Sequence, residues 1–314
     1  MKVGVIMGGV SSEREVSLAT GKEMLEHLDQ NKYEAVPIDI KTKQDLLEKA
    51  QGIDIALLAL HGSFGEDGTI QGTLETMGIP YTGCSLLSSA ICMDKDLSKR
   101  LLRYGGLETP DWTVLRTLDD VNDGRLAALD YPLVIKPNAG GSSIGVTLVR
   151  NEESLLTALR TAFSYGEEVL VEAYIQGEEI TCGILNGKTL PIVSIKPNSE
   201  FFNYASKYEP GQCDEQVATF GEELDKRIRQ AAETSYAAMK CSVYARIDMM
   251  LKNGVPYILE VNTLPGMTKT SLLPRSALAA GISFPGLLDA IIEGSLIERK
   301  PSPSMPAANV PRFA

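Results

Sequence analysis

Near the start of the chain, short apolar runs alternate with segments of mixed polarity. Val3 to Met7 and Ile53 to Leu60 are apolar through most of their length, the pattern of strands buried on both faces. Glu13 to Leu28 and Ile70 to Met77 read as helices, and Ile79-Pro80-Tyr81-Thr82 as a third strand. Buried strands separated by helices predict a parallel sheet covered on both sides. A helix over Asp94 to Tyr104, broken by Gly105-Gly106, leads out of this unit and places a boundary near residue 94.

From Trp112 the pattern changes. Strands are expected over Leu133–Pro137, Gly145–Val149 and Val169–Ile175, with a glycine-serine loop, Asn138 to Ser143, between the first two. Beyond the turn at Gln176-Gly177, Ile180–Leu185 and Leu190–Ile195 flank Asn186-Gly187, and Val243–Leu251 and Pro256–Val261 flank Asn253-Gly254. Both dipeptides favour the type I′ turn of a two-residue hairpin, because both central residues need positive φ. With helices over Glu222–Met239 and Phe284–Arg299, the second part is α+β behind an α/β start. The segment Pro301-Ser302-Pro303-Ser304-Met305-Pro306 is expected to be disordered, and no internal repeat is visible.

Composition narrows the classes. A chain of 314 residues predicts two or three domains. Thirty Lys+Arg against 41 Asp+Glu give a net charge of −11, which argues against a nucleic-acid or anionic membrane partner. Five scattered cysteines without a C-x-x-C spacing suggest neither a disulfide framework nor a zinc site. The first residues run directly into a strand pattern, and the longest apolar run, Ile53 to Leu60, is far short of a ~20-residue span. A soluble, cytoplasmic protein is expected.

The candidate chemistry falls at strand ends and on one hairpin. Strand, glycines and helix at Gly8-Gly9-Val10-Ser11-Ser12-Glu13-Arg14-Glu15 form an anion-presenting geometry without the dinucleotide or P-loop spacing. Ser12 and Glu15 could simply be a capping box, while Glu13 lies at the carboxyl end of a first parallel strand, where such sheets bind ligands. His61 follows the second strand and would reach the same crevice; the plain alternative is a bond to a loop carbonyl. Lys136 closes an apolar strand before Asn138–Gly145, and a lysine beside a flexible glycine-serine loop suits a phosphate better than an ordinary turn does.

The hairpin is the most informative. Residues two apart on a strand share a face, so Arg246 points with Asp248 and Glu260 with Asn262. Two carboxylates and an amide facing together describe an oxygen-ligand magnesium site; the alternative is surface salt bridges. Closing the hairpin on Asn253-Gly254 alone would set Asp248 opposite Leu259 and send the carboxylates to opposite faces. A longer connection or a one-residue bulge is therefore expected, with Asp248 opposite Glu260 and Arg246 opposite Asn262. The loop Thr263–Leu272 leads into a helix start suited to a substrate carboxylate, with N-capping by Ser271 as the alternative. The aromatic segment Phe201–Tyr208 reads as an active-site lid.

Taken in order, Gly8-Gly9 with Glu13-Arg14-Glu15-Val16-Ser17, Leu60-His61-Gly62, Gly65-Glu66-Asp67-Gly68, Met93-Asp94-Lys95, Arg246-Ile247-Asp248 and Glu260-Val261-Asn262-Thr263 with Pro265-Gly266-Met267-Thr268 resemble the D-alanine:D-alanine ligase family. The resemblance implies a three-domain ATP-grasp architecture, with an N-terminal α/β substrate domain over 1–94, a central subdomain over 95–178, a C-terminal subdomain over 179–300 and a tail over 301–314. It implies ATP as co-substrate, two Mg2+ ions (with Mn2+ able to substitute) held by Asp248, Glu260 and Asn262, D-alanine as substrate, and a homodimer.

By the same resemblance, Lys95 and Lys136 grip phosphate under a loop carrying Ser142 and Ser143. Glu172, Ala173, Tyr174 and Ile175 form the hinge against adenine, and Glu179 holds the ribose. Glu13 holds the first D-alanine ammonium near His61. Arg246 and backbone N–H near Gly266 stabilise the tetrahedral intermediate, and Ser271 and Leu272 position the second D-alanine. Lys207 and Tyr208 sit on the closing loop, Tyr208 bonded to Ser143 and Glu13. One position departs: the family usually has lysine after the hinge glutamate, and here stands Ala173. The alternatives are a D-alanine:D-lactate ligase, against which Tyr208 argues, and an ATP-binding module without turnover, which would need neither Glu13 nor Arg246. A Rossmann dehydrogenase lacks its glycine fingerprint.

Overall fold

The computed structural model describes residues 1–197 and 213–299, so Lys207, Tyr208, the rest of the lid segment and the 301–314 tail lie outside the described residues. β1 (Lys2–Gly8) lies between β2 (Glu34–Ile40) and β3 (Ile55–Leu58), all parallel, as the apolar runs predict. The pattern does not reveal β2, because Pro37 interrupts it; at the sheet edge a residue without an N–H is tolerated. The expected third strand at Ile79–Thr82 shrinks to one parallel bridge, Tyr81 to Ala56. Pro80 has no N–H to extend the ladder one way, and the Thr82 hydroxyl takes the Leu58 N–H that would extend it the other.

Helices α1 (Arg14–His27), α2 (Lys43–Lys49), α3 (Thr69–Met77), α4 (Leu86–Met93) and α5 (Lys95–Tyr104) complete this part. Asp94 ends α4 and caps α5 by accepting the Leu97 N–H at 2.9 Å.

A second, antiparallel sheet contains β4 (Trp112–Leu115), β5 (Leu133–Pro137), β6 (Thr147–Val149) and β7 (Val169–Ala173) in the order β4-β7-β5-β6. Helix α6 (Glu152–Phe163) buries Leu155 and Leu159 against Ile135, Val149 and Val171 of its inner face.

The third sheet is also antiparallel. It comprises β8 (Glu178–Leu185), β9 (Lys188–Thr189), β10 (Val193–Pro197), β11 (Cys213–Val217), β12 (Tyr244–Lys252) and β13 (Val255–Asn262). Its order is β11-β10-β8-β12-β13, with β9 paired to β8. Asn186-Gly187 and Asn253-Gly254 all have positive φ, as their turns require. Helix α7 (Glu222–Ala238) covers one face, setting Ile228 and Ala232 against Ile180, Ile184 and Ile247.

Two helices follow, α8 (Leu272–Ala279) and α9 (Phe284–Glu298). Leu287, Leu288, Ile291 and Ile292 of α9 join Val5, Ile6 and Leu57 in one core, so the last described helix returns to the first sheet. Among the described residues no single helix is long and apolar enough to cross a membrane.

Candidate active site

Two cavities of about 560 and 530 Å³ meet where the three sheets converge. The first opens between the second and third sheets; the second lies at the carboxyl ends of β1 and β3, against β12, β13 and the start of α8. Asp248, Glu260, Ile195 and Gly141 line both. Each volume suits a small-molecule ligand, and the common wall lets two ligands touch.

The β12–β13 hairpin builds that wall. Its ladder runs regularly from Lys252–Val255 to Met249–Ile258, then shifts, so that Asp248 faces Glu260 and Arg246 faces Asn262. The extra residue is Leu259, and the one-residue bulge expected from the sequence is present.

Asp248 is buried. It accepts from Arg246 Nε (2.8 Å) and Nη2 (2.7 Å), from Thr181 Oγ1 (2.6 Å) and from Asn262 Nδ2 (2.9 Å). Burial works against the charge of Arg246, but Asp248, and beyond it Glu260 and Glu66, raise its pKa and keep it protonated. Two carboxylates and an amide with only oxygen to offer a cation fit a hard divalent ion.

In the first cavity, the loop after β5 carries Ser142 (φ 52°) and Ser143 (φ 56°), both in the left-handed region that side chains rarely adopt. Lys95 Nζ donates to Gly140 O at 2.7 Å, tying α5 to this loop. Lys136 lies at the end of β5 as expected, its Nζ 3.0 Å from Glu172 Oε2 on β7. Burial works against ionisation of Glu172, yet Lys136 and Lys99 outweigh it and hold the carboxyl below its ordinary range. The backbone N–H groups of Ala173 and Tyr174 are taken by Asp111 O (2.8 Å) and Pro132 O (3.1 Å), which fixes the strand end. Ala173, Tyr174, Ile175 and Glu179 all line the cavity.

In the second cavity Glu13 is buried at the start of α1. The Ser12–Glu15 capping box does not form: Glu13 itself occupies the N-cap position and makes no side-chain capping bond. A tertiary contact replaces the box. Ser11 Oγ accepts the Glu13 N–H at 3.2 Å and donates to His61 O at 2.7 Å, which pins the turn to the β3 end. The Ser142 hydroxyl donates to the Glu13 carboxylate. The serine meeting Glu13 is therefore Ser142, whereas Ser143 lines the first cavity. Gly62 (φ +71°) packs so closely that a Cβ there would stand 2.5 Å from Glu13 Oε2.

His61 makes no carbonyl bond through its ring. Nε2 is 3.1 Å from Thr20 Oγ1 and Nδ1 3.3 Å from Glu66 Oε1. A proton on Nδ1 satisfies both contacts, donated to Glu66 while Nε2 accepts from Thr20. Ser271 stands at the N-cap position of α8 without capping it; its hydroxyl accepts the Thr268 N–H at 3.1 Å instead. Gly266, Ser271 and Leu272 all face the cavity.

The structure adds residues that the sequence pattern does not reveal. Lys99, one helical turn after Lys95, is fully buried behind the first cavity, and that spacing of two lysines on one helix face is its only sequence signal. Glu215 lines the second cavity from β11 and pairs with Arg275 Nη2 at 3.2 Å; burial raises its pKa, with Arg275 and Arg246 opposing.

Comparison with known proteins gives consistent results. Residues 101–293 match the family model described as D-ala D-ala ligase C-terminus, and residues 2–51 and 41–84 the one described as D-ala D-ala ligase N-terminus. The chain is 58% identical over 300 residues to a D-alanine–D-alanine ligase of Bacillus anthracis, covering 96% of this chain and 99% of that protein. It is 53% identical over 296 residues to the D-alanine–D-alanine ligase of Clostridium perfringens, covering 94% and 98%. The crystal structure of the Bacillus anthracis ligase complexed with ATP superposes with a TM-score of 0.88 at 56% identity, covering 95% of this chain and 98% of that one. The VanG D-Ala:D-Ser ligase of Enterococcus faecalis has a TM-score of 0.82 at 33% identity, covering 94% and 99%.

Proposed function

The chain belongs to the D-alanine–D-alanine ligase family, and on that premise we propose how its two cavities divide the reaction. The fold is that of the ATP-grasp ligases, and the activity is ATP-dependent joining of two D-alanines to D-alanyl-D-alanine for peptidoglycan synthesis. The first cavity takes ATP. Glu172 to Ile175 run along the adenine, Glu179 meets the ribose, and Lys95, Lys136 and Ser143 face the phosphates. Ala173 offers the base no side-chain donor.

The second cavity takes the amino acids. Glu13 holds the first D-alanine ammonium, with His61 beside the carboxylate. That carboxylate attacks the γ-phosphorus, breaking the bond to ADP and giving D-alanyl phosphate. The amine of the second D-alanine, held by Ser271 and Leu272, then attacks the carbonyl carbon, loses a proton and expels phosphate. Arg246 and backbone N–H near Gly266 stabilise the oxyanion between these steps. Asp248, Glu260 and Asn262 would hold two Mg2+ ions, or Mn2+, which when bound neutralise phosphate charge. Lys207 and Tyr208, outside the described residues, close the site in this reading and exclude water that would hydrolyse the acyl phosphate.

The three sheets support a division near residues 94 and 178, with α9 returned to the first unit. A cytoplasmic homodimer is the accompanying assignment.

The carrying observation is the bulge that sets Asp248 opposite Glu260 where both cavities meet. The test is phosphate release from Mg-ATP with D-alanine, L-alanine, or D-alanine plus D-lactate, with products identified by mass. D-alanine-dependent release of D-alanyl-D-alanine is expected. A depsipeptide at neutral pH would overturn the product assignment, and nucleotide binding without turnover would favour a non-catalytic module.

A further inference from the structure

Behind the first cavity lies a charged group that the scheme above leaves idle. Lys99 is 0% exposed. Its Nζ is 2.6 Å from Glu172 Oε2, 2.7 Å from Thr109 Oγ1 and 5.1 Å from the centre of the Trp112 ring. The Thr109 hydroxyl donates to Ile258 O on β13 at 2.8 Å, which leaves its lone pair for the ammonium. The Glu172 oxygen that meets Lys99 also meets Lys136, which lines the cavity. One carboxylate thus serves two ammonium groups, and the set carries a net charge of +1. A buried ion pair is a weak source of stability compared with apolar packing, so the arrangement calls for another use.

We propose that Lys99 is a positioning residue for the nucleotide: by sharing Glu172, it leaves the Lys136 ammonium with uncompensated charge for the phosphates of ATP. The proposal rests on the first cavity being the nucleotide site. Without Lys99, Glu172 would pair one-to-one with Lys136 and the set would be neutral. Lys99 touches no substrate; it acts through Glu172.

The same geometry makes nucleotide binding sensitive to alkali. Burial lowers the pKa of Lys99 to about 8, with Glu172 on β7 opposing and Lys136 on β5 and Arg103 on its own helix adding to the effect. Among the described residues, the uncharged groups that meet its ammonium are the Thr109 hydroxyl and the Trp112 face. As pH rises through that value, Lys99 loses its proton and the net charge falls from +1 to 0. Phosphate nearby favours the protonated form, so ATP binding near pH 8 must draw a proton onto the protein.

The test uses the full chain as wild type, Lys99→Arg and Lys99→Met. A non-hydrolysable Mg-ATP analogue is titrated calorimetrically at pH 8 in two buffers of different ionisation enthalpy, and affinities are compared at pH 7 and pH 9. Wild type should take up a fraction of a proton and bind more weakly at pH 9. Lys99→Arg should bind like wild type at pH 7, without proton uptake and without the alkaline loss. Lys99→Met should bind about tenfold more weakly at pH 7, the order expected for losing one charge at roughly 10 Å and an effective dielectric near 20.

Emission from Trp112, the single tryptophan of the chain, gives an independent readout in wild type, with a midpoint near pH 8 that is absent in Lys99→Arg. Equal affinity of wild type and Lys99→Met at pH 7, or proton uptake persisting in Lys99→Arg, would overturn the role of Lys99. Failure of wild type to bind the analogue at all would remove the nucleotide reading of the cavity, and the proposal with it.

Discussion

The two cavities share a wall and are built by different means. The first is lined by strands of two antiparallel sheets: Lys136 stands on β5, Glu172 on β7, Asp248 on β12 and Glu260 on β13. Backbone ladders hold these residues in place. The second gathers loop and helix ends that are distant in the chain: Glu13 after β1, His61 after β3, Ser142 from the loop after β5 and Ser271 before α8. Its geometry depends on several loop and helix ends meeting the β12–β13 wall, whereas the first needs only the second and third sheets to meet. Damage to the first cavity should therefore appear in nucleotide binding, and damage to the second in the D-alanine KM. Only the common wall should affect both.

The sharpest test of that division is Asp248→Asn, which keeps the side-chain shape, removes the charge facing Arg246 and turns one of its two acceptor oxygens into a donor. We expect turnover to fall by about 10²–10³-fold, the scale of losing one organised electrostatic contact in an active site, with both substrates affected in steady-state assays. Glu13→Gln should be narrower. A lost charged hydrogen bond is worth about 1.5–3 kcal/mol, so the D-alanine KM should rise roughly 10- to 150-fold while the ATP KM stays unchanged. A matching rise in the ATP KM would show that the cavities do not act separately. Smallest is Ala173→Lys, which adds a donor beside the hinge. The ATP KM should fall by about two- to twelvefold, equivalent to 0.5–1.5 kcal/mol, with the D-alanine KM unmoved.

The contrast also explains what the sequence could reveal. The β12–β13 bulge was legible because Asn253-Gly254 fixes the turn and the period of two fixes which side chains face together; a regular ladder contradicts the polar set, so an extra residue had to enter. The parallel start was legible from continuous apolar runs. Contacts between units were not. Ser12 and Glu15 carry a local capping signal, but Ser11 bonds to His61 O across the crevice, and no neighbouring residue announces that partner. Lys99 looks like any lysine on a polar helix until α5 is laid beside β7. Strand β2 was hidden by Pro37, whose tolerance depends on being at an edge that only the assembled sheet defines.

The return of α9 to the first sheet has a consequence for how the molecule is made. Synthesis delivers β1 and β3 early, yet Leu287, Leu288, Ile291 and Ile292, which complete their apolar core, leave the ribosome long after both strands. Until they arrive that sheet has an uncovered apolar face, and its closure joins segments far apart in the chain, a slow kind of contact to form. Truncation before α9 should yield aggregates rather than a smaller folded ligase, even though every residue assigned to the two cavities would still be present.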